Sequence, residues 1–333
     1  MKTLVVGSDE VRTLLPMEDC VLVMRNAMAT LARGDVVLPL RQAVRLPNKK
    51  GILGMMPAYF GGTQPVVGIK VVTVFPGNHG TKFDSHQGAI QLFETDNGQL
   101  LAIIDAGSIT AIRTAAVSAV ATDLLAKKVS RRLAIFGSGT QARMHLQSMP
   151  VVRSSIDEVR IWSRNHDHAL KFAKDTSSNL RVEAFESAEE AAKGADIICT
   201  TTAATSPILK GDWISKGAHI NAVGASVPPF RELDSSAVAR SSFFVDRRES
   251  AIEEADDFRI PKSEGLIGDS HIKCEIGDIL IGTKKGRTSE DEITIFKSLG
   301  LAIEDLAAAQ HVYLKALAKG TGTWIDFVAN RRE

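Results

Sequence analysis

The sequence predicts an α/β protein in two parts: a Rossmann-type doubly wound parallel sheet, preceded by an α+β unit rich in antiparallel pairing. Three observations carry that reading. From Arg131 onward, apolar runs alternate with amphipathic segments in the order strand, helix, strand, helix. Before residue 128 the apolar runs are β-branched and separated by Pro, Gly and Asn. At the junction, "RLAIFGSGTQARMH" carries an apolar strand through a glycine-rich turn into a helical pattern.

Taken in order, "SDEVRTLLPMEDCVLVMRNAMATLARGD" spaces Met17, Val21, Met24, Met28 and Leu31 by alternating fours and threes, with Gly34 as a stop. That pattern predicts one amphipathic helix whose methionines pack into a core. "VVLPLRQAVRLP", "GILGMMPAY" and "VVGIKVVTVF" read as strands, and "AIQLFETDNGQLLAIID" as a hairpin turning at Asp96-Asn97-Gly98. The small-residue segment "SITAIRTAAVSAVATDLLA" follows as a helix that permits close approach of another element. Next come the strands "RLAIF", "VRIW", "VEAF", "IICTTT", "AHINAV" and "SFFVD", with helices "ARMHLQSM", "HDHALKFAKD" and "SAEEAAKGAD" between the earlier ones. Ser187 and Glu190 form a capping-box pattern, and Gly194 closes that short helix. Phe296, Leu299, Ile303, Leu306, Tyr313 and Leu317 share one face of a long final helix, expected to return to the first domain. The predicted domains are therefore 1–128 with 301–333, and 129–300.

Composition narrows the function. Two domains are expected of 333 residues, and a formal net charge of +1, with Lys and Arg dispersed, gives no footprint for nucleic acid or an anionic membrane. Cys20, Cys199 and Cys274 are an odd number without metal-ligand spacing, so no disulfide framework or metal site is expected. The N-terminal apolar run is too short for a signal peptide, and no segment reads as long and apolar enough to span a bilayer; the expected compartment is the cytoplasm.

The GxGxxA turn has the context that a dinucleotide site needs, a strand before it and a helix after it. Gly137 permits the tight turn, Gly139 lets a pyrophosphate approach the backbone, and Ala142 keeps helix and sheet close; Thr140 and Gln141 open the helix whose N-terminus faces the phosphates. At the end of the second strand, "VRIWSRN" places Ser163 where an acid would bind the ribose 2′-hydroxyl, followed by Arg164 and Asn165. A guanidinium there suits a 2′-phosphate, so NADPH is expected over NADH. His166 and His168, just beyond, are expected on the surface.

The first domain supplies candidate anchors for a carboxylate. Arg41 and Arg45 fall on one face of a predicted strand, Lys70 interrupts "VVGIKVVTVF", and Arg113 sits among Ala and Ile. A cation inside an apolar pattern is disfavoured unless it is paired internally or binds an anion. Cations in three such segments together point to an anion.

The chain resembles the ornithine cyclodeaminase/mu-crystallin family over nearly its full length, through "PLRQAV", "GMMPAY", "IKVVTVFP", "SHQG", "LLAIIDAGSITAIRTAAVSA", "GSGTQA", "IWSRN", "INAVGAS" and "TIFKSLG". The resemblance implies a Rossmann domain plus a discontinuous substrate-binding and dimerisation domain, and a homodimer. It implies that Arg41, Lys70 and Arg113 hold a substrate α-carboxylate, Arg45 having no counterpart. Thr114 and Ser298, Leu299 and Gly300 become cofactor contacts outside the glycine loop, and Thr200, Thr201, Thr202 and Val223 line the nicotinamide side. One departure bears on the reaction: where the cyclodeaminases carry an acting Asp, this sequence reads "GASVPPF", with Ser226 at that position. A lone serine is no general base near neutral pH, which argues against ornithine cyclodeamination.

The expected activity is hydride reduction of a cyclic or N-substituted α-imino acid by NADPH, as in the mu-crystallin-type ketimine reductases that the resemblance brings in. Lys70 or Ser226 would serve the imine nitrogen, with His86 as another possible donor. The rival readings are reductive amination of a 2-oxo acid, cyclodeamination of ornithine, and a ligand-binding protein without turnover.

Overall fold

The computed structural model describes residues 2–48, 50–78, 81–176 and 179–327. In chain order its elements begin with β1 (Lys2–Val6), α1 (Ser8–Leu14), α2 (Met17–Ala32), β2 (Val36–Val37), β3 (Gln42–Arg45), β4 (Ile52–Phe60), β5 (Val66–Val74), β6 (His86–Phe93), β7 (Leu100–Asp105) and α3 (Ala106–Leu125). They continue with β8 (Arg132–Phe136), α4 (Thr140–Val152), β9 (Glu158–Trp162), α5 (His166–Asp175), β10 (Arg181–Phe185), α6 (Ala188–Ala192), β11 (Ile197–Thr200) and β12 (His219–Ala222). The remainder is α7 (Ser235–Ala239), β13 (Ser242–Val245), α8 (Arg248–Glu254), α9 (Asp256–Ser263), β14 (Ile272–Glu275), α10 (Ile276–Leu280), β15 (Thr294–Lys297), α11 (Ala302–Lys319) and β16 (Thr323–Asp326).

Two compact units result, one built from the chain up to Arg113 and from Leu301 onward, the other from Thr114–Gly300. The division falls inside α3 rather than after residue 128, because one uninterrupted helix serves both units. Residues 328–333 of the expected first domain lie outside the described residues.

In the first unit the strands form one sheet in the order β16-β1-β7-β6-β5-β4-β2, with β3 on β4; β1 and β7 are parallel and the other pairs antiparallel. The Asn-Gly hairpin joins β6 to β7 as its turn residues dictate, and the Glu94 carboxylate accepts the N–H groups of Asp96 and Asn97 at 2.9 Å each. The N-terminal helix, expected as one, is two, because Pro16 lacks the N–H that would carry α1 onward and becomes the N-cap of α2. Cys20, Val21, Met24 and Met28 on α2 are buried core.

The second unit is an all-parallel sheet in the order β10-β9-β8-β11-β12-β15-β13-β14. Strand order reverses between β8 and β11, the switch point at whose carboxyl ends such sheets bind ligands. Phe136, Ile198, Ile220, Phe243, Ile295 and Phe258 pack in one core beneath it. β14 and β15 were not expected, and Phe296 and Leu299 are not helical: Phe296 is a buried residue of β15, Gly300 turns at φ +78°, and α11 starts only at Ala302.

Helix α3 corrects a further expectation. It is long and apolar enough, by length and composition alone, to cross a membrane, and 78% of its apolar window is buried inside the protein. Its residues are small and mostly apolar because protein covers the helix nearly all round, and its buried serines are among the few polar groups it carries.

Candidate functional site

Strand β5 alternates Val66, Gly68, Lys70 and Val72 onto its buried face, so the period of two that builds the core also drives an ammonium into it. Lys70 is 2% exposed. Its Nζ lies 2.6 Å from Asp305 Oδ2 and donates to the Thr110 hydroxyl at 3.4 Å. Arg113, on α3, donates from Nε to Asp305 Oδ1 at 2.9 Å and from Nη1 to Glu304 Oε2 at 2.6 Å. Both acids stand in the first turn of α11, where the helix dipole favours negative charge, and both are fully buried.

Arg41 is half-buried immediately before β3 rather than within a strand, and Arg45 ends that strand exposed. The charge of Arg41 reaches Lys70: burial first, then the guanidiniums of Arg113 and Arg41, push the ammonium down to about 8 although Asp305 opposes them. At Arg113 burial works against the charge, but Asp305 and Glu304 outweigh it and raise the pKa. The structure thus brings Arg41, Lys70 and Arg113 together and shows Lys70 and Arg113 to be internally paired as well. His86, exposed at the start of β6, has its Nδ1 3.0 Å from the Ser85 hydroxyl.

In the second unit the turn between β8 and α4 has the shape its glycines require. Gly137 holds φ +122°, and a Cβ there would lie 2.7 Å from Thr201 Oγ1 and 2.9 Å from the Thr201 carbonyl oxygen. At Gly139, the N-cap of α4, a Cβ would meet nothing within 4 Å, so the face that a pyrophosphate approaches is open. Ala142 is fully buried behind it. Thr140 and Gln141 form the first turn of α4, and the Gln141 carbonyl lies 2.8 Å from the ring Nδ1 of buried His145. These features fit a dinucleotide.

The other expected contacts are placed as follows. Ser163, after β9, shares a 3.2 Å hydrogen bond with Ser138 of the glycine turn. Arg164 is exposed, and Asn165 caps α5 by accepting the Asp167 N–H at 2.9 Å. His168 is exposed as expected, whereas His166 is half-buried with Nδ1 3.3 Å from the Phe185 carbonyl. Thr200 and Thr202 donate to Glu232, Thr201 donates to the Phe136 carbonyl at 2.9 Å, and the Val223 N–H bonds to Thr200. Ser298, Leu299 and Gly300 follow β15, with the last two N–H groups on the Asp246 carboxylate. Thr114 is buried in α3, and its carbonyl accepts the Ser118 hydroxyl at 3.2 Å. Ser226 is half-buried beyond β12.

Sequence reasoning missed Glu304 and Asp305, although adjacent acids in the otherwise apolar "LAIEDLAAA" were the available signal. It also missed Lys297, a cation ending the apolar run "ITIFK" much as Lys70 interrupts its own, and with it Glu232 and Asp257.

Known proteins are similar to this one over most of the chain. The sequence profile of the Ornithine cyclodeaminase/mu-crystallin family matches residues 1–320. The ketimine reductase mu-crystallin of Mus musculus is 43% identical over 293 residues, 87% of this chain and 90% of that protein. The structure of the Thermococcus litoralis Δ1-pyrroline-2-carboxylate reductase, in complex with NADH and L-proline, matches with a TM-score of 0.93 at 37% identity, covering 96% of this chain and 99% of that one. An archaeal alanine dehydrogenase dimer with bound NAD matches with a TM-score of 0.91 at 34% identity, covering 98% and 100%. With the family profile spanning all but the last residues, the chain belongs to the ornithine cyclodeaminase/mu-crystallin family.

Proposed function

We propose that the protein is an NAD(P)H-dependent reductase of α-imino acids, acting on five- or six-membered cyclic ketimines, with NADPH preferred. The carrying observation is the cluster of Arg41, Lys70 and Arg113, three cations that share one neighbourhood with two of them buried. A substrate carboxylate added there offsets the repulsion from Arg113 and Arg41 that, after burial, lowers the Lys70 pKa, and guanidinium donors suit a carboxylate. The relatives named as ketimine and pyrroline-2-carboxylate reductases support the same chemistry.

Gly137, Gly139 and the first turn of α4 would hold the pyrophosphate, with Arg164 beside the ribose. The bound dinucleotide supplies the hydride. The chain's own residues bind and orient: Arg41 and Arg113 hold the carboxylate, and Lys70, charged below about pH 8, holds a proton available to the imine nitrogen. A protonated C=N is already electrophilic, so no strong acid is required of Ser226. The same serine argues against deamination, which needs a base at that position.

The deciding experiment follows NADPH absorbance with Δ1-piperideine-2-carboxylate and Δ1-pyrroline-2-carboxylate, with NADH in parallel. Oxidation of NADPH by either imine is the expected result. Turnover only with pyruvate and ammonia would replace this reading by reductive amination, and ammonia release from ornithine without net redox change would replace both. We also propose a homodimer, supported by the archaeal relative's dimer; light scattering at the monomer mass overturns it.

Two predictions belong here. Arg164→Ala is expected to raise the KM for NADPH at least ~10-fold, the loss of a charge-assisted hydrogen bond, while leaving that for NADH within about 2-fold. Equal changes for both cofactors refute the 2′-phosphate role. The second concerns pH. Because the Lys70 pKa in the fold lies below its ordinary value, the ammonium is lost as pH rises through about 8, and kcat/KM for the imino acid falls there. From that pH up to the ordinary lysine range the folded state binds fewer protons than the unfolded one, so this group's contribution to stability rises while activity falls. Binding of a carboxylate inhibitor with no group titrating in that range separates Lys70 from the imine's own protonation; pH-independent binding contradicts the assignment.

A further inference from the structure

Glu232 joins two loops at the carboxyl edge of the parallel sheet. Its side chain is fully buried and accepts four hydrogen bonds. Oε2 takes the Thr200 hydroxyl and the Gly224 N–H, each at 2.8 Å. Oε1 takes the Thr202 N–H at 2.6 Å and the Thr202 hydroxyl at 2.8 Å. Thr200 ends β11 and Gly224 lies just beyond β12, so one carboxylate ties the segments following two adjacent strands. They are pressed together: a Cβ on Gly224 would lie 2.0 Å from the Thr202 carbonyl oxygen.

The carboxylate is itself anchored. The N–H groups of Glu232 and Leu233 both donate to Asp257 Oδ1 at 2.9 Å, and Asp257 Oδ2 accepts from the fully buried Lys297 Nζ at 2.8 Å. Lys297 ends β15 and directly precedes Ser298, Leu299 and Gly300. A buried relay of charge therefore reaches all three segments that follow β11, β12 and β15. The bonds at position 232 suit a carboxylate and not its amide. Each carboxylate oxygen faces a backbone N–H, which can only donate; an amide in either orientation would set its NH2 against one of them. Hydroxyl partners could rotate, but these two cannot.

We infer that Glu232 is the positioning residue that holds the Thr200–Thr202 and Gly224 segments in the conformation that receives the nicotinamide end of the dinucleotide, an inference resting on the reductase reading above. It does not touch the reacting atoms. It acts through the loops it binds.

The test compares the full-length protein with Glu232→Gln by three readouts: the dissociation constant for NADPH by calorimetry without imino acid, kcat at saturating NADPH, and the thermal midpoint. The expected result is a ~10-fold weaker NADPH affinity and a further ~10-fold fall in kcat, the scale of lost hydrogen bonds and of a misplaced reactant. Glu232→Asp, which keeps the charge but is one methylene too short to reach both loops, should fall between. A lower midpoint with unchanged affinity and unchanged kcat per folded molecule marks a purely structural role and overturns the inference. Should Glu232→Gln not fold, Thr200→Val decides, because it removes one donor to Oε2 while keeping the side-chain shape: a ~3-fold weaker affinity supports the inference and an unchanged one overturns it. Absence of NADPH and NADH binding by the unaltered protein would instead overturn the functional reading itself.

Discussion

Replacing Arg113 with alanine is expected to destabilise the protein by about 3–5 kcal/mol and to raise the KM for the imino acid far more than that for NADPH. The guanidinium lies within 2.9 Å of Asp305 and 2.6 Å of Glu304, and all three groups are buried. Its removal leaves two carboxylates in the interior facing the single ammonium of Lys70. Taking one partner from a buried pair costs more than the pair contributes, because the remaining charge stays desolvated. Arg113→Lys restores charge without the fork and should recover part of the stability and little of the carboxylate binding. Denaturant unfolding measures the first effect and separate Michaelis constants the second. Equal losses for imino acid and cofactor would remove Arg113 from the carboxylate site.

A comparable loss of stability, with no direct effect on the chemistry, is expected from Arg153→Ala. This arginine follows α4 and closes the carboxyl end of α3. Its Nη2 donates to the carbonyls of Thr122 and Asp123 at 2.9 Å and Ala126 at 3.3 Å, Nε to Lys127 at 3.0 Å, and Nη1 to the Asp123 carboxylate at 2.9 Å and the Val152 carbonyl at 2.6 Å. Helix carboxyl ends leave carbonyls without intrahelical partners, and their partial negative charge attracts a cation. Alanine removes six hydrogen bonds at once and takes the buried cation away from the Asp123 carboxylate and the end of the helix, at a cost of about 3–5 kcal/mol. The expected outcome is a strongly lowered thermal midpoint with Michaelis constants unchanged while the protein remains folded. An unshifted midpoint would show that water replaces the guanidinium.

What the sequence disclosed was mostly local. The strand, glycine turn and helix from Arg132 to Val152 are contiguous, so their pattern and their glycine chemistry could be read together. The Asn-Gly hairpin and the small-residue helix α3 were legible for the same reason. Reading broke down where identity depends on a distant partner. Asp305 meets Arg113 across 192 positions, and nothing near either residue announces the other. Lys70 was visible as an anomaly, but its internal pairing was not. Phe296 and Leu299 fitted a helical spacing by coincidence; burial on both faces of a parallel strand yields an apolar run without a period of its own. Edge strand β16 and its neighbour β1 were missed because such short strands carry little pattern.

The discontinuity of the first unit sets an order in time. During synthesis, residues 114–300 have all their mutual partners available once Gly300 emerges from the ribosome, so that unit can complete itself on the nascent chain. Lys70 and Arg113 are translated long before Glu304 and Asp305. Until α11 arrives, burying those cations carries the full desolvation penalty with neither acid to offset it. Burial of those cations is therefore favoured only with α11 in place, and that helix delivers the counter-ions together with the apolar face that covers the sheet.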